Sequence, residues 1–317
     1  ETGLKHFKMN WKKLTEIQEK NKRYVSGHRA CAGCPFSVIV KTVLAATDKD
    51  VVVANATGCL EVVSTIYPYN AWNVPWIHAN FGNSAAVISG VETAYKSLKK
   101  QGKLKKEIKF IVFGGDGGTY DIGLQALSGA MERRHDFLYV CYDNEGYMNT
   151  GGQRSSATPL GANTTTDPAG TKSLGKETFR KNLAEIAVAH KIPYVAQASI
   201  ADLNDLHEKA KKGFEAKGPA LLIVLSPCIP VWKINSDMAF DVSKKAVDSG
   251  FWQIYEVENG KYKINYKPNK FVPIENFLKL QGRFNHLFKD SKGKEVIAKI
   301  KKNISDNWKE LEKKVRC

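Results

Sequence analysis

No apolar run in this 317-residue chain approaches the roughly 20 residues that a helix needs to cross a bilayer. The opening stretch ETGLKHFKMNWKKL lacks the apolar core of a secretory leader, so the expected compartment is the cytoplasm. Acidic residues are scarce: 32 against 48 Lys and Arg, a formal net charge of +16. Such an excess suits an anionic partner. Yet the lysines lie in several separate stretches, as on solvated helix faces, and no zinc-finger, RNA-recognition or homeodomain pattern is present. The GxxxxGKS/T loop of P-loop nucleotide hydrolases is also missing. Only one CxxC pair occurs, so the two-knuckle pattern of a structural zinc ribbon is not met. Internal repeats and low-complexity tracts are absent.

Hydrophobic residues make up 43% of the chain, enough for a sizeable core. Residues 1–30 read as a polar N-terminal arm with a short helix over 11–24. Residues 31–228 alternate between strand and helix patterns. Apolar strands are expected at 50–58, 108–115, 136–144, 193–200 and 219–228, and helices at 35–49, 83–102, 120–135, 179–192 and 202–218. This alternation predicts an α/β fold on a parallel sheet. The aromatic-rich region 64–82 reads as irregular, and 150–175 as a long functional loop. Residues 229–317 form a C-terminal extension, with a hairpin or extended arm at 259–269 and helices at 275–288 and 293–315.

The polar residues of 31–228 sit where open parallel sheets bind ligands, at the carboxyl ends of the strands. IKFIVFGG runs into GGDGG, where Gly115, Gly117 and Gly118 let a diphosphate approach the backbone and Asp116 offers a hard oxygen ligand suited to Mg²⁺. The next strand ends in DNEGYMNTGG, where Asn144 adds an amide oxygen. Adjacent parallel strands place these two turns side by side. One metal bridging both to a diphosphate explains the pairing, and the two turns together resemble the thiamine-diphosphate signature.

The six cysteines divide in the same way. Cys31 and Cys34 come from HRACAGCP, Cys59 from NATGC and Cys228 from LSPC. The last two lie at strand ends, so all four can converge on the ligand edge, as a [4Fe–4S] cluster or zinc requires. Cys141 lies mid-strand and reads as core; Cys317 is terminal and incidental. His28 and His78 are expected to be hydrogen-bonding groups or to line the cofactor edge, and Trp72 and Trp76 to belong to core or subunit interface.

These motifs, with YPYNAWNVPWIH, RSSATPLGA and FLKLQGRF, resemble over nearly all of 22–288 the β subunit of 2-oxoacid:ferredoxin oxidoreductases, pyruvate synthase type. The resemblance implies thiamine diphosphate, Mg²⁺ and a [4Fe–4S] cluster. Cys31, Cys34, Cys59 and Cys228 would hold the cluster. Asp116, the Asn144 side chain and the Gly146 carbonyl would bind Mg²⁺. Thr57, Gly58 and Thr150 would line the cofactor site, and Asn149 would face the reacting carbon. The carboxylate that activates the aminopyrimidine ring would come from the α subunit. Further expected partners are γ- and δ-type subunits, ferredoxin, and coenzyme A if the substrate is pyruvate; neither nucleic acid nor membrane is expected. Three positions depart from the family pattern: Pro35-Phe36-Ser37 after CAGC, Phe81-Gly82-Asn83 after WIH, and Asn163. They bear on the choice of 2-oxoacid and admit oxalate, decarboxylated without coenzyme A, beside pyruvate. A basic nucleic-acid-binding protein with a structural zinc is the reading of a different class.

Overall fold

The computed structural model describes residues 22–316, together with Lys12, Thr15, Glu16 and Glu19. Most of the helix expected over 11–24, and Cys317, lie outside the described residues.

Eight strands form one sheet: β1 (Asp50–Ala56), β2 (Trp76–Ala79), β3 (Ile108–Gly115), β4 (Leu138–Asp143), β5 (Tyr194–Ser199), β6 (Ala220–Leu225), β7 (Ile254–Glu258) and β8 (Lys261–Tyr266). Their order is β2-β1-β3-β4-β6-β5-β7-β8. The first six in that order pair parallel. The expected α/β architecture on a parallel sheet is therefore present. β4 and β6 are buried at every position, which is why residues 138–142 and Ala220–Leu225 read as apolar runs.

Helices cover both faces. Ile39 of the helix Phe36–Leu44 and Leu206 of the helix Leu203–Glu215 enter one core layer. Ile88 of Ser84–Lys100 and Leu127 of Leu124–Glu132 enter the other. The helix Leu203–Glu215 starts where it does because Asp202 accepts from the amides of Asn204 and Asp205, satisfying orphan donors of the first turn.

Three expectations differ in detail. The region 64–82 is not wholly irregular, since Trp76–Ala79 adds a parallel edge strand to β1. The arm at 259–269 is half of a hairpin: β7 pairs antiparallel with β5, and β8 with β7. The single helix expected over 275–288 is two pieces, Ile274–Leu278 and a 3₁₀ turn Gly282–Phe288, broken at Gln281-Gly282. A Cβ on Gly282 would come within 2.7 Å of the Lys233 Cβ, so the chain turns there in close contact with its neighbour. The long helix Ser291–Arg316 then buries Ile297, Ile300, Trp308 and Leu311 on the core.

Strand order places the site. From β1 the chain steps to β2 on one side and then to β3 on the other. The carboxyl ends of β1 and β3 therefore open a crevice at a switch point, the usual ligand position in such sheets.

Candidate active site

A cavity of about 200 Å³ lies in that crevice. Of the residues singled out in the sequence, Thr57, Gly58, Cys59, Gly115, Gly117, Gly118, Asn144, Gly146, Asn149 and Thr150 all line it. Phe81, one of the departures from the family pattern, lines it too, and Tyr142, Tyr147 and Met148 supply further apolar wall that sequence reasoning left without a role. Glycine is required in the floor: a Cβ on Gly117 would lie 2.6 Å from the Tyr147 ring. After β3 the backbone winds through a wide π-type turn, Gly117–Asp121, a form often found at functional sites.

Asp116 is fully buried beneath this floor. It accepts from the Asn144 amide at 3.2 Å and from the Ser155 hydroxyl at 2.5 Å. Burial, then the nearby charge of Asp143, pushes its carboxyl well above the ordinary range, opposed by the Ser155 hydrogen bond. The end of the Asn144 side-chain amide lies 2.8 Å from Asp116 Oδ1 and 2.9 Å from the Gly146 carbonyl oxygen. With its nitrogen turned toward them it bonds both. With its oxygen turned toward them, it would stand beside the Asp116 carboxylate and the Gly146 carbonyl, oxygen donors of the kind that a hard divalent cation takes. Carboxylate, amide and main-chain carbonyl oxygens are the donor types that Mg²⁺ takes.

The turn that carries these oxygens is held from outside. Glu145 is fully buried and has a left-handed backbone (φ 65°), unusual for a non-glycine residue. Its carboxylate accepts from Arg180 at 3.1 Å and from Arg283 at 2.5 Å. Arg180 also donates to Asp143 at 2.5 Å and to the Tyr120 hydroxyl at 3.0 Å. Trp232 Nε1 donates to the Asn144 carbonyl at 2.8 Å. The Arg283 guanidinium stacks 3.8 Å from the Trp232 ring centroid. Neither arginine nor Ser155 had a role in the sequence reading, although RSSATPLGA and FLKLQGRF contain Ser155 and Arg283.

Cys59 lines the cavity and also belongs to a second group. Cys31, Cys34, Cys59 and Cys228 lie close enough that each lies within the electrostatic reach of the other three. Burial, reinforced by the neighbouring thiols, pushes Cys34 and Cys59 up to about 12 and Cys228 up to about 11. Backbone N–H groups of Phe36 and Val231 point at Cys34 and Cys228. Among the described residues, no three Cys, His, Asp or Glu side chains gather tightly enough for a single metal ion. Four thiolates are the donor type that a [4Fe–4S] cluster takes. Cys141 is core, with no exposed surface.

The remaining candidates fall at the margins. The Thr57 hydroxyl lies 2.6 Å from His78 Nε2, so His78 braces the cavity rim. His28 stacks on Tyr24. Trp72 is core, 6% exposed, and stacks on Trp76. Asn163 does not line the cavity: its side-chain oxygen accepts from the Ala169 amide at 2.8 Å, within its own loop.

Comparison with known proteins agrees with this geometry. Residues 56–224 match the family described as thiamine pyrophosphate enzyme, C-terminal TPP binding domain. Pyruvate synthase subunit PorB of Thermotoga maritima is 48% identical, over 96% of this chain and 95% of its own length. Ketoisovalerate oxidoreductase subunit VorB of Pyrococcus horikoshii is 41% identical, over 95% and 96%. Among solved structures, 2-oxoglutarate:ferredoxin oxidoreductase from Magnetococcus marinus shares the fold, with a TM-score of 0.58 and 21% identity over 87% of this chain and 83% of that one. No helix among the described residues is long and apolar enough to cross a membrane. The chain carries a thiamine-diphosphate-binding domain and belongs to the β-subunit family of the 2-oxoacid:ferredoxin oxidoreductases, pyruvate synthase type.

Proposed function

We propose that this chain is the cofactor-carrying β subunit of a cytoplasmic pyruvate:ferredoxin oxidoreductase, in which a [4Fe–4S] cluster on Cys31, Cys34, Cys59 and Cys228 takes electrons from the thiamine site. The observation that carries the reading is the double membership of Cys59, which lines the cofactor cavity and interacts with the other three cysteines. Bound thiamine diphosphate supplies the nucleophilic carbon that adds to the 2-oxo group and the electron sink for loss of CO₂.

The protein's part is placement. Gly115, Gly117 and Gly118 bring backbone to the diphosphate, and Asp116, the Asn144 side chain and the Gly146 carbonyl would hold its Mg²⁺. Asn149, exposed at the cavity wall, is placed to meet the substrate. Phe81, Tyr147 and Met148 keep water from the reacting atoms. The four thiolates put an electron exit beside the cavity. α-, γ- and δ-type subunits complete the assembly, ferredoxin accepts the electrons and coenzyme A takes the acyl group.

Oxalate stays as the second substrate reading because Phe81, one of the departures from the family pattern, lines the cavity. The test is anaerobic reduction of a low-potential dye by the purified complex with pyruvate, 2-oxoglutarate, 2-oxoisovalerate and oxalate, each with and without coenzyme A. Coenzyme A-dependent turnover of pyruvate is expected. Turnover of oxalate alone, independent of coenzyme A, would replace pyruvate as substrate, and a colourless protein with one zinc per chain would remove the redox reading.

A further inference from the structure

The Tyr142 hydroxyl is sealed from solvent in a residue only 2% exposed, and no group among the described residues hydrogen-bonds to it. Buried hydroxyls are nearly always paired, so this one calls for an acceptor from outside the chain.

Its surroundings say which. Tyr142 is the penultimate residue of β4, in register with Gly115 of β3. Strand alternation sends it to the opposite core layer from Cys141, away from the Asp143–Arg180 network. Its ring packs on Phe36, with centroids 4.7 Å apart, two residues beyond Cys34. A Cβ on Gly58, the residue before Cys59, would stand 3.2 Å from the hydroxyl. Cys34 and Cys59 both pack against the buried layer that contains Tyr142. The hydroxyl is therefore set between two cysteine-bearing turns, at the wall shared with the cofactor cavity.

The geometry points to Tyr142 as a hydrogen-bond donor to the sulfur-rich group held by Cys34 and Cys59, and so as a positioning residue that sets the potential at which electrons leave. The inference rests on the cluster reading above. A donor to a cluster sulfur stabilises the reduced, more negative state and raises the reduction potential. The competing acceptor is the cofactor diphosphate, because a Cβ on Gly115 would also lie within 3.6 Å of the hydroxyl.

Tyr142→Phe removes the oxygen and keeps the ring that packs on Phe36. In the anaerobic complex, the signal of this cluster is the one lost in Cys228→Ser. A redox titration followed by electron paramagnetic resonance then reads its midpoint in wild type and in Tyr142→Phe. The midpoint is expected to move to a more negative potential, with iron per chain and thiamine diphosphate affinity unchanged. An unmoved midpoint overturns the inference. Weakened thiamine diphosphate binding with an unmoved midpoint gives the hydroxyl to the diphosphate and overturns it as well. Loss of iron makes the hydroxyl a structural element and also overturns it. Wild-type complex with no Cys228-dependent signal overturns the cluster reading itself, which metal analysis of the wild type distinguishes from the other outcomes.

Discussion

Replacing Arg283 with Met keeps the length of the side chain and removes its charge. Arg283 is 2% exposed and gives Glu145 one of its two arginine partners, at 2.5 Å. Arg180 remains on the other oxygen at 3.1 Å, so one carboxylate oxygen loses its donor while the charge stays partly balanced. Breaking a buried pair by removing one partner costs about 3–5 kcal/mol, and the remaining arginine places this case near 3. Loss of the stacking on Trp232, at 3.8 Å, adds about 1 kcal/mol. The expected loss of roughly 3–4 kcal/mol weakens the folding equilibrium about a hundred- to a thousandfold. Because Glu145 stands between Asn144 and Gly146, Mg²⁺ affinity should fall by about 10–100-fold, the usual cost of losing a partner behind a metal ligand.

Urea unfolding followed by tryptophan fluorescence reads the first quantity, and Mg²⁺ titration of thiamine diphosphate binding reads the second. Glu145→Gln and the double variant complete a cycle. Glu145→Gln alone leaves Arg283 buried without a counter-charge, so the double variant should lose clearly less than the two singles summed. Additive losses, or a Arg283→Met protein with less than about 1 kcal/mol lost and normal Mg²⁺ affinity, would refute the clamp.

Three further outcomes are expected. Gly33 has φ +77° and an added Cβ would stand 1.7 Å from the Ser236 carbonyl oxygen, so Gly33→Ala should distort the turn between Cys31 and Cys34 and lower the iron content measured per chain. Asn163→Ala should cost about 0.5–1.5 kcal/mol for its hydrogen bond to Ala169 and leave the ratio of kcat/KM between 2-oxoacids unchanged; a changed ratio would return Asn163 to substrate selection. Burial opposes the charge on Glu256, but Lys212, Tyr194, Asn265 and Lys263 outweigh it and hold the carboxyl down at about 2, against 4.5 for a free glutamate. A lowered folded-state value means stability that is present above about 4.5 and lost as pH falls toward 2. Unfolding followed across that window should show this acid-sensitive part vanish in Glu256→Gln.

The strands and turns of the cavity were legible in the sequence because a strand buried on both faces must be an apolar run. The polar residues at its end then have no role in the core. The three turns NATGC, GGDGG and DNEG each follow such a run. Cysteine type and spacing singled out Cys31, Cys34, Cys59 and Cys228, whereas Cys141 could be set aside because it falls inside a run. β2 was hidden because Trp76–Ala79 is only four residues long and only partly buried, among aromatic turns. The break at Gln281-Gly282 was hidden because apolar residues continue at helical spacing across it. The arginine clamp had no local signature: Glu145 and Arg283 stand 138 residues apart, and no periodicity joins one buried charge to another at that separation. Asn163 drew notice as a departure from a family pattern, but its side chain serves the backbone of its own loop.

The separation between Glu145 and Arg283 also bears on how the subunit is made. Chains emerge from the ribosome amino end first, and segments fold as they appear. The sheet from β1 to β6 and the turn after β4 are complete long before Arg283 is available. Until then Arg180 is the one arginine of the pair that can reach Glu145. The turn after β4 therefore gains its second arginine only after the strands that carry it have been made, and its full bracing is a late event of folding.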